Sequence, residues 1–284
     1  MNNPNSRLAN ARSILFVPGN RPERFEKALR SGADAVVLDL EDAVPLSEKL
    51  AAREAIAKAW PALRLLGVPT MVRINAVEQP IGQEDLRWLA GLEGLDGVMV
   101  PKVESAEGLE IVRKHLPSVP ILPLIESAAG YDALSDIGGV NGVLRLVVGH
   151  IDFMVDCGLQ CGDDQSELSS LRFAVAMTTR LRRLAPAVDG VTAEVDDEDR
   201  LRADTHRAVR FGFGGKLCIH PRQIAVVHES LTPTAAEVAW ARRVVEADAA
   251  AEGAAVQLDG RMVDVPVVLQ ARRTLARAGE QAMP

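Results

Sequence analysis

Ile121-Leu122-Pro123-Leu124-Ile125-Glu126-Ser127 is an unbroken apolar run that ends in a carboxylate, with the small residues Ala128, Ala129 and Gly130 beyond it. Apolar side chains on successive residues suit a strand buried on both faces, as in a parallel sheet. Working outward, the same unit recurs. Upstream lie residues 13–17, stopped by Pro18-Gly19, then 35–39, running into Leu40-Glu41-Asp42, then 70–74 and 97–100, ending in Pro101-Lys102. Downstream lie 144–148, ending in Gly149-His150-Ile151-Asp152, a weak strand at 187–191, and 216–219 before His220-Pro221.

Helical patterns separate these runs. One begins near Arg21, with Pro22 in its first turn and Phe25, Ala28 and Leu29 on one face. Others begin at Ser47 and cover 84–92, 106–116, 166–184 and 197–211, with a short helical connection after Gly130. Eight βα units between residues 13 and 220 predict an α/β chain folded as a (β/α)8 TIM barrel, whose reactive groups sit at the C-terminal strand ends. The rival, a doubly wound open sheet, lacks a glycine-rich dinucleotide turn after the first strand. Residues 1–11 read as a loose arm. Residues 1–230 thus form the catalytic barrel, and 231–284 a C-terminal extension: a helix at 235–251, a hairpin at 256–262 and a closing helix to about Ala278.

The composition narrows the function classes. A formal net charge of −7 over 284 residues argues against general nucleic-acid binding. No apolar run approaches the roughly 20 residues of a membrane helix, and the N-terminus lacks the apolar core of a signal peptide. Cys157, Cys161 and Cys218 are odd in number and have no second Cys/His pair beside them, so they read as reduced thiols of a cytoplasmic protein.

Polar residues gather at the strand ends: Asp39, Glu41 and Asp42; Arg73 and Asn75; Lys102 and Glu104; Glu126; Asp152; His220. Glu126 and Asp152 offer hard oxygen donors suited to Mg²⁺ or Mn²⁺, and would serve equally as helix caps or rim ion-pair partners. Arg73 interrupts an apolar strand, so it needs Glu41, Asp42 or a substrate anion as partner. Arg21, Arg24 and Lys27 form a basic stripe that is either a solvated face or a grip for phosphates. Asp264, among Met262, Val263, Val265 and Pro266, is either a solvent-facing strand residue or a proton-transfer group. His220 reads as a rim histidine.

The segments 15–27 (LFVPGNRPERFEK), 38–43 (LDLEDA), 72–75 (VRIN), 100–102 (VPK), 124–130 (LIESAAG), 149–152, 216–221 (KLCIHP) and 260–264 (GRMVD) resemble the citrate lyase β-subunit and malyl-CoA lyase family, within the HpcH/HpaI aldolase group. The resemblance implies a barrel assembled as a homotrimer or hexamer, with Mg²⁺ held by Glu126 and Asp152. It implies coenzyme A contacts from Phe16, Arg21 and Lys27, and Arg73 binding substrate beside the metal. Asp264 would be the acid/base, on a C-terminal segment covering a neighbouring subunit's site. The expected reaction is Mg²⁺-dependent cleavage or formation of a 3-hydroxyacyl-CoA, such as malyl-CoA, citramalyl-CoA or citryl-CoA, with an acyl-CoA and a 2-oxoacid on the other side. The alternatives are a pyruvate-type aldolase that needs no CoA, and a β subunit acting on a citryl-carrier protein within a larger lyase. In one departure, many citrate lyase β-like members carry Ala-Glu-Asp where this chain has His150-Ile151-Asp152. The ligand-matching Asp is kept and the acid before it is absent.

Overall fold

Each apolar run forms a parallel strand in the computed structural model, which describes residues 4–251 and 253–280 of the chain. The strands are β1 (Ser13–Pro18), β2 (Ala35–Asp39), β3 (Thr70–Arg73), β4 (Gly97–Val100), β5 (Ile121–Ile125), β6 (Val147–Val148), β7 (Val188–Asp189) and β8 (Gly215–Cys218). They pair in chain order and β8 returns to β1, closing a barrel of eight strands. Around it run α1 (Pro4–Ala9), α2 (Phe25–Leu29), α3 (Lys49–Arg64), α4 (Pro80–Leu89), α5 (Ala106–His115), α6 (Ala128–Asp132), α7 (Leu134–Gly139), α8 (His150–Cys157), α9 (Ser169–Leu181), α10 (Glu198–Arg210) and α11 (Gln223–Leu231). Among the described residues no helix is long and apolar enough to cross a membrane.

Strand alternation decides what faces the barrel interior. Ile14, Ala35, Val37, Met71, Met99, Leu122, Leu124, Val147, Val188 and Leu217 form one buried cluster. Two residues further along the same faces come Asp39, Arg73 and Glu126, so the pleat that builds the core also carries these charges to the mouth. Asp189 and Lys216 have the opposite parity and point into the layer between barrel and helices.

The opposite end of the barrel is plugged. Residues 4–9 form α1, not a loose arm, and Leu8 and Ala11 join the interior cluster; residues 1–3 lie outside the described residues. Leu8 packs so closely on Gly97 that a Cβ there would come within 2.8 Å of its Cδ2. Arg145 secures the plug from full burial: its Nε donates to Pro186 O at 2.6 Å, and one terminal nitrogen donates to Leu8 O at 3.1 Å and Ala11 O at 2.7 Å. Burial draws its pKa down to about 9.

The sixth and seventh units differ from expectation in detail. The strands expected at 144–148 and 187–191 shrink to two residues each. Residues 144–146 instead meet their neighbours through single backbone bonds while Arg145 reaches for the plug. Residues 150–152, read from the sequence as the end of the sixth strand unit, are the start of α8, which begins on Gly149 without a side-chain cap and stops at Gly158 in a left-handed conformation (φ 64°). Helix α11 follows His220-Pro221 and completes the eighth βα unit.

The chain divides into two compact units, Met1–His228 and Glu229–Pro284. The second contains α12 (Ala235–Ala250), the hairpin of β9 (Val256–Leu258) and β10 (Arg261–Val263), and α13 (Val265–Arg277). Thr234 and Glu237 form a reciprocal capping box at α12. Asp259 (φ 48°) and Gly260 (φ 75°) supply the two positive φ angles of a tight hairpin turn. Ala241, Val244, Val263, Val268, Ala271 and Leu275 make this unit's own core.

Replacing Arg145 with Leu strips donors from buried carbonyls, at about 1–3 kcal/mol each. The expected result is a melting temperature lower by roughly 5–10 °C, read by circular dichroism; an unchanged melt would show that the plug does not depend on this side chain.

Candidate active site

The centre of the mouth is an ion pair set by strand register. Arg73 ends β3 directly opposite Asp39, the last residue of β2. Its guanidinium grips that carboxylate with both arms, Nε to Oδ1 at 2.7 Å and a terminal nitrogen to Oδ2 at 2.6 Å. The other terminal nitrogen lies 2.8 Å from Glu41 Oε2, and the ring of Phe16 lies beneath, 4.8 Å from the guanidinium carbon. The partners are therefore Asp39 and Glu41. Asp42 instead lies 3.5 Å from Lys102 Nζ. Burial works against the Arg73 charge, but its hydrogen bonds to Asp39 and the charges of Asp39, Glu41 and Asp42 hold its pKa above the ordinary value.

Lys102 links this pair to Glu126. Its ammonium meets Glu41 Oε1 at 2.5 Å, and its backbone N–H donates to Glu126 Oε1 at 2.6 Å. To do both, Lys102 adopts a left-handed backbone (φ 50°), uncommon for a side chain of its size. Desolvation opposes its charge, but the contact with Glu41 pushes its pKa up to about 12. Burial, helped by the Asp42 charge, raises Glu41 above the usual carboxylate range, with Arg73 and Lys102 opposing. Below them the buried Lys49 donates to Leu40 O, Glu41 O and Asn75 Oδ1, pinning the loop that carries Glu41. A cavity of about 290 Å³ opens beside this group, bordered by Glu41, Asp42, Lys49, Asn75, Gln79 and Lys102.

Glu126 is 3% exposed. Burial and the nearby charges of Glu41 and Asp152 push its pKa up to about 8, against the Lys102 N–H and the Arg73 charge. Its carboxylate fits over Gly149, where a Cβ would lie 2.4 Å from Oε2. Asp152 is half-buried in the first turn of α8, where the helix dipole favours an anion. It is thus presented by a helix, a firmer mount than the open strand end expected from the sequence. Among the described residues no group of three or more His, Cys, Asp or Glu side chains is arranged to hold a metal. Two hard carboxylate donors that repel each other fit Mg²⁺, which usually keeps several water or substrate oxygens and seldom takes a full protein cage.

The remaining sequence candidates fall elsewhere. Arg21 is exposed and paired with Glu23 at 2.7 Å, and Lys27 is exposed on the short α2. Asp264 belongs to the second unit, where it caps α13 by accepting from Val267 N at 3.3 Å; it is neither a strand residue nor fully exposed. His220 accepts from Arg222 N at 3.2 Å, closing its own turn. His150 is buried; burial, then the nearby Lys216 and Arg172 charges, lower its pKa to about 4, against the Asp189 charge. Sequence reasoning placed Asp39 and Lys102 at the mouth without assigning either a role. The clue for Asp39 was its place at the end of the strand preceding Arg73. Lys49 had no signal, since nothing in a helix start marks a lysine that turns inward.

Residues 12–221 match the family described as HpcH/HpaI aldolase/citrate lyase. The chain belongs to this family. Membership in the HpcH/HpaI aldolase/citrate lyase family makes it an enzyme of the carbon–carbon lyase class. A citrate lyase subunit beta-like protein of Deinococcus radiodurans is 38% identical over 277 residues, covering 93% of this chain and 96% of that one. A (3S)-malyl-CoA thioesterase of Cereibacter sphaeroides is 32% identical over 271 residues, 94% of each chain. Among solved structures, CitE from Mycobacterium tuberculosis in complex with magnesium, acetoacetate and coenzyme A superposes with a TM-score of 0.84 at 32% identity, covering 96% of this chain and all of that one.

The raised pKa of Glu126 has a signed consequence for stability. The folded protein keeps a proton that the unfolded chain releases near pH 4.5, so this group costs stability progressively as pH rises from about 4.5 to about 8. In EDTA, Glu126→Gln is expected to flatten that decline, so that its melting temperature gains on the wild type between about pH 5 and 8. Parallel melting curves for the two proteins across that range would show that Glu126 carries no such burden.

Proposed function

We propose that this enzyme is a Mg²⁺-dependent lyase that cleaves or forms a 3-hydroxyacyl-CoA, such as malyl-CoA, citramalyl-CoA or citryl-CoA, with acetyl-CoA or another acyl-CoA and a 2-oxoacid as the partners. The observation that carries this reading is the linked set Arg73–Glu41–Lys102–Glu126: a buried cation held charged beside a carboxylate that burial has made ready for a cation. Bound between Glu126 and Asp152, Mg²⁺ would supply Lewis acidity and a template for the oxoacid. Support comes from the mycobacterial relative, whose complex holds magnesium, acetoacetate and coenzyme A together.

Arg73 would do the electrostatic work on the thioester. Cleavage leaves negative charge on the enolate oxygen of the departing acyl-CoA. A guanidinium locked by Asp39 and Glu41 stabilises that charge without having to reorient. A separate group must move the proton at the enolate carbon. Of the carboxylates around Arg73, Asp39 and Glu41 are engaged by Arg73 and Lys102 and Asp42 lies beside Lys102, while Glu126 and Asp152 would hold the metal. Asp264 fills the gap in this reading, delivered by the C-terminal unit of a neighbouring copy in a homotrimer or hexamer. Phe16 on β1, Arg21 in the turn after it and Lys27 on α2 would meet the coenzyme A. The setting would be the cytoplasm, with small molecules as the only ligands.

Incubation with Mg²⁺ and each thioester is expected to release acetyl-CoA with glyoxylate, pyruvate or oxaloacetate. Turnover only of a free hydroxy-oxoacid would overturn the CoA reading. The thioesterase relative motivates a second outcome, release of free coenzyme A thiol and malate without glyoxylate, which the same assay separates. Glu126→Ala is expected to abolish Mg²⁺-dependent activity, and activity indifferent to both EDTA and this change would refute the metal assignment. Arg73→Lys keeps a charge but loses the two-armed grip on Asp39. It should lower kcat by roughly a hundredfold or more with the fold intact. Wild-type turnover in that variant would remove Arg73 from the mechanism.

A further inference from the structure

The layer between β7, β8 and the outer helices holds a buried charged group that the proposed chemistry does not use. Lys216 is 1% exposed and donates from Nζ to Gly190 O at 2.7 Å. Asp189 accepts from Arg172 Nε at 3.1 Å, and Arg172 also donates to Gln165 Oε1 at 2.7 Å. Into this layer projects His150, the first residue of α8, and its Nδ1 has no hydrogen-bond partner among the described residues. Gly190 is what admits the ring: a Cβ there would lie 2.1 Å from His150 Nδ1 and 3.1 Å from Val148 O. Gly190 carries no positive φ, so its lack of a side chain serves space and not backbone conformation.

The segment Gly149–Asp152 is thus held from two sides. On the inner side the Glu126 carboxylate lies against Gly149, and on the outer side the His150 ring lies against Gly190, whose carbonyl Lys216 fixes. Helix α8 has no side-chain cap of its own. Its first turn, which includes Asp152, therefore takes its place from these packing contacts. We propose that Gly190 and Lys216 are positioning residues that act through His150 to set Asp152 against Glu126. In metal sites, groups that orient the ligands commonly control affinity by about 10–100-fold. The inference rests on the reading of Glu126 and Asp152 as metal ligands.

The test is Mn²⁺ binding to the full-length protein, followed by the loss of the free-ion paramagnetic signal, with folding checked by circular dichroism. Gly190→Ala is expected to weaken binding at least about tenfold. In a His150→Ala background, where no ring remains to be displaced, the same change should cost less than about twofold. Lys216→Met, which adds no bulk near the ring, should also weaken binding, and it carries the question if Gly190→Ala fails to fold. An equal cost of Gly190→Ala in both backgrounds, or a folded Lys216→Met that binds as the wild type does, would overturn the positioning role. Wild-type protein that takes up no Mn²⁺ would instead overturn the metal reading beneath it.

Discussion

A guanidinium buried at the rim of an apolar barrel must be compensated or expelled, and the mouth of this protein is arranged around compensating one. Asp39 meets Arg73 because parallel pairing places the ends of β2 and β3 opposite each other. Glu41 completes the fork, Lys102 neutralises the far oxygen of Glu41, and the backbone of Lys102 orients Glu126. Removing any one member leaves a charge unpaired in a poorly solvated place, where the penalty usually exceeds what the pair contributed. The group therefore behaves as a unit. It also holds more acid than base, so Glu126, the most buried of its unpaired carboxylates, is the one whose ionisation is most resisted.

The barrel turns one-dimensional information into this arrangement. A strand that fills the core with every second residue carries the same face forward to the mouth, so Val37 leads to Asp39, Met71 to Arg73 and Leu124 to Glu126. The other parity leads to Asp189 and Lys216, which are sealed between barrel and helices. Charges on the first face are positioned for chemistry, whereas those on the second can only act on the frame that holds it.

This logic explains what was legible in the sequence. Unbroken apolar runs ending in polar residues were enough for the closed barrel and for the gathering of Asp39, Arg73 and Glu126 at its mouth, because both follow from strand parity. Ion-pair partners were harder, since they depend on register between strands that are distant in sequence. Arg73 therefore looked as if it belonged to Glu41 or Asp42 when its first partner is Asp39. Helix α8 was hidden because it starts on a bare glycine, and α1 because a short polar N-terminal segment gives no sign that Leu8 will plug a barrel. Asp264 illustrates the reverse. Asp-Val-Pro is a recognisable helix start, and the residue does cap α13, yet the apolar residues around it read more strongly as a strand.

The left-handed backbone of Lys102 carries a cost that a glycine would not, on the order of 1 kcal/mol or more. Glycine would adopt that backbone without strain. The backbone amide on Glu126 would be there with glycine too, but only the lysine side chain adds the ammonium on Glu41. The molecule thus keeps a small reserve of conformational tension in its active region, released only if that side chain is given up. A glycine there would relax the backbone but leave Glu41 without its ammonium partner, so local strain and charge balance at this position trade directly against each other.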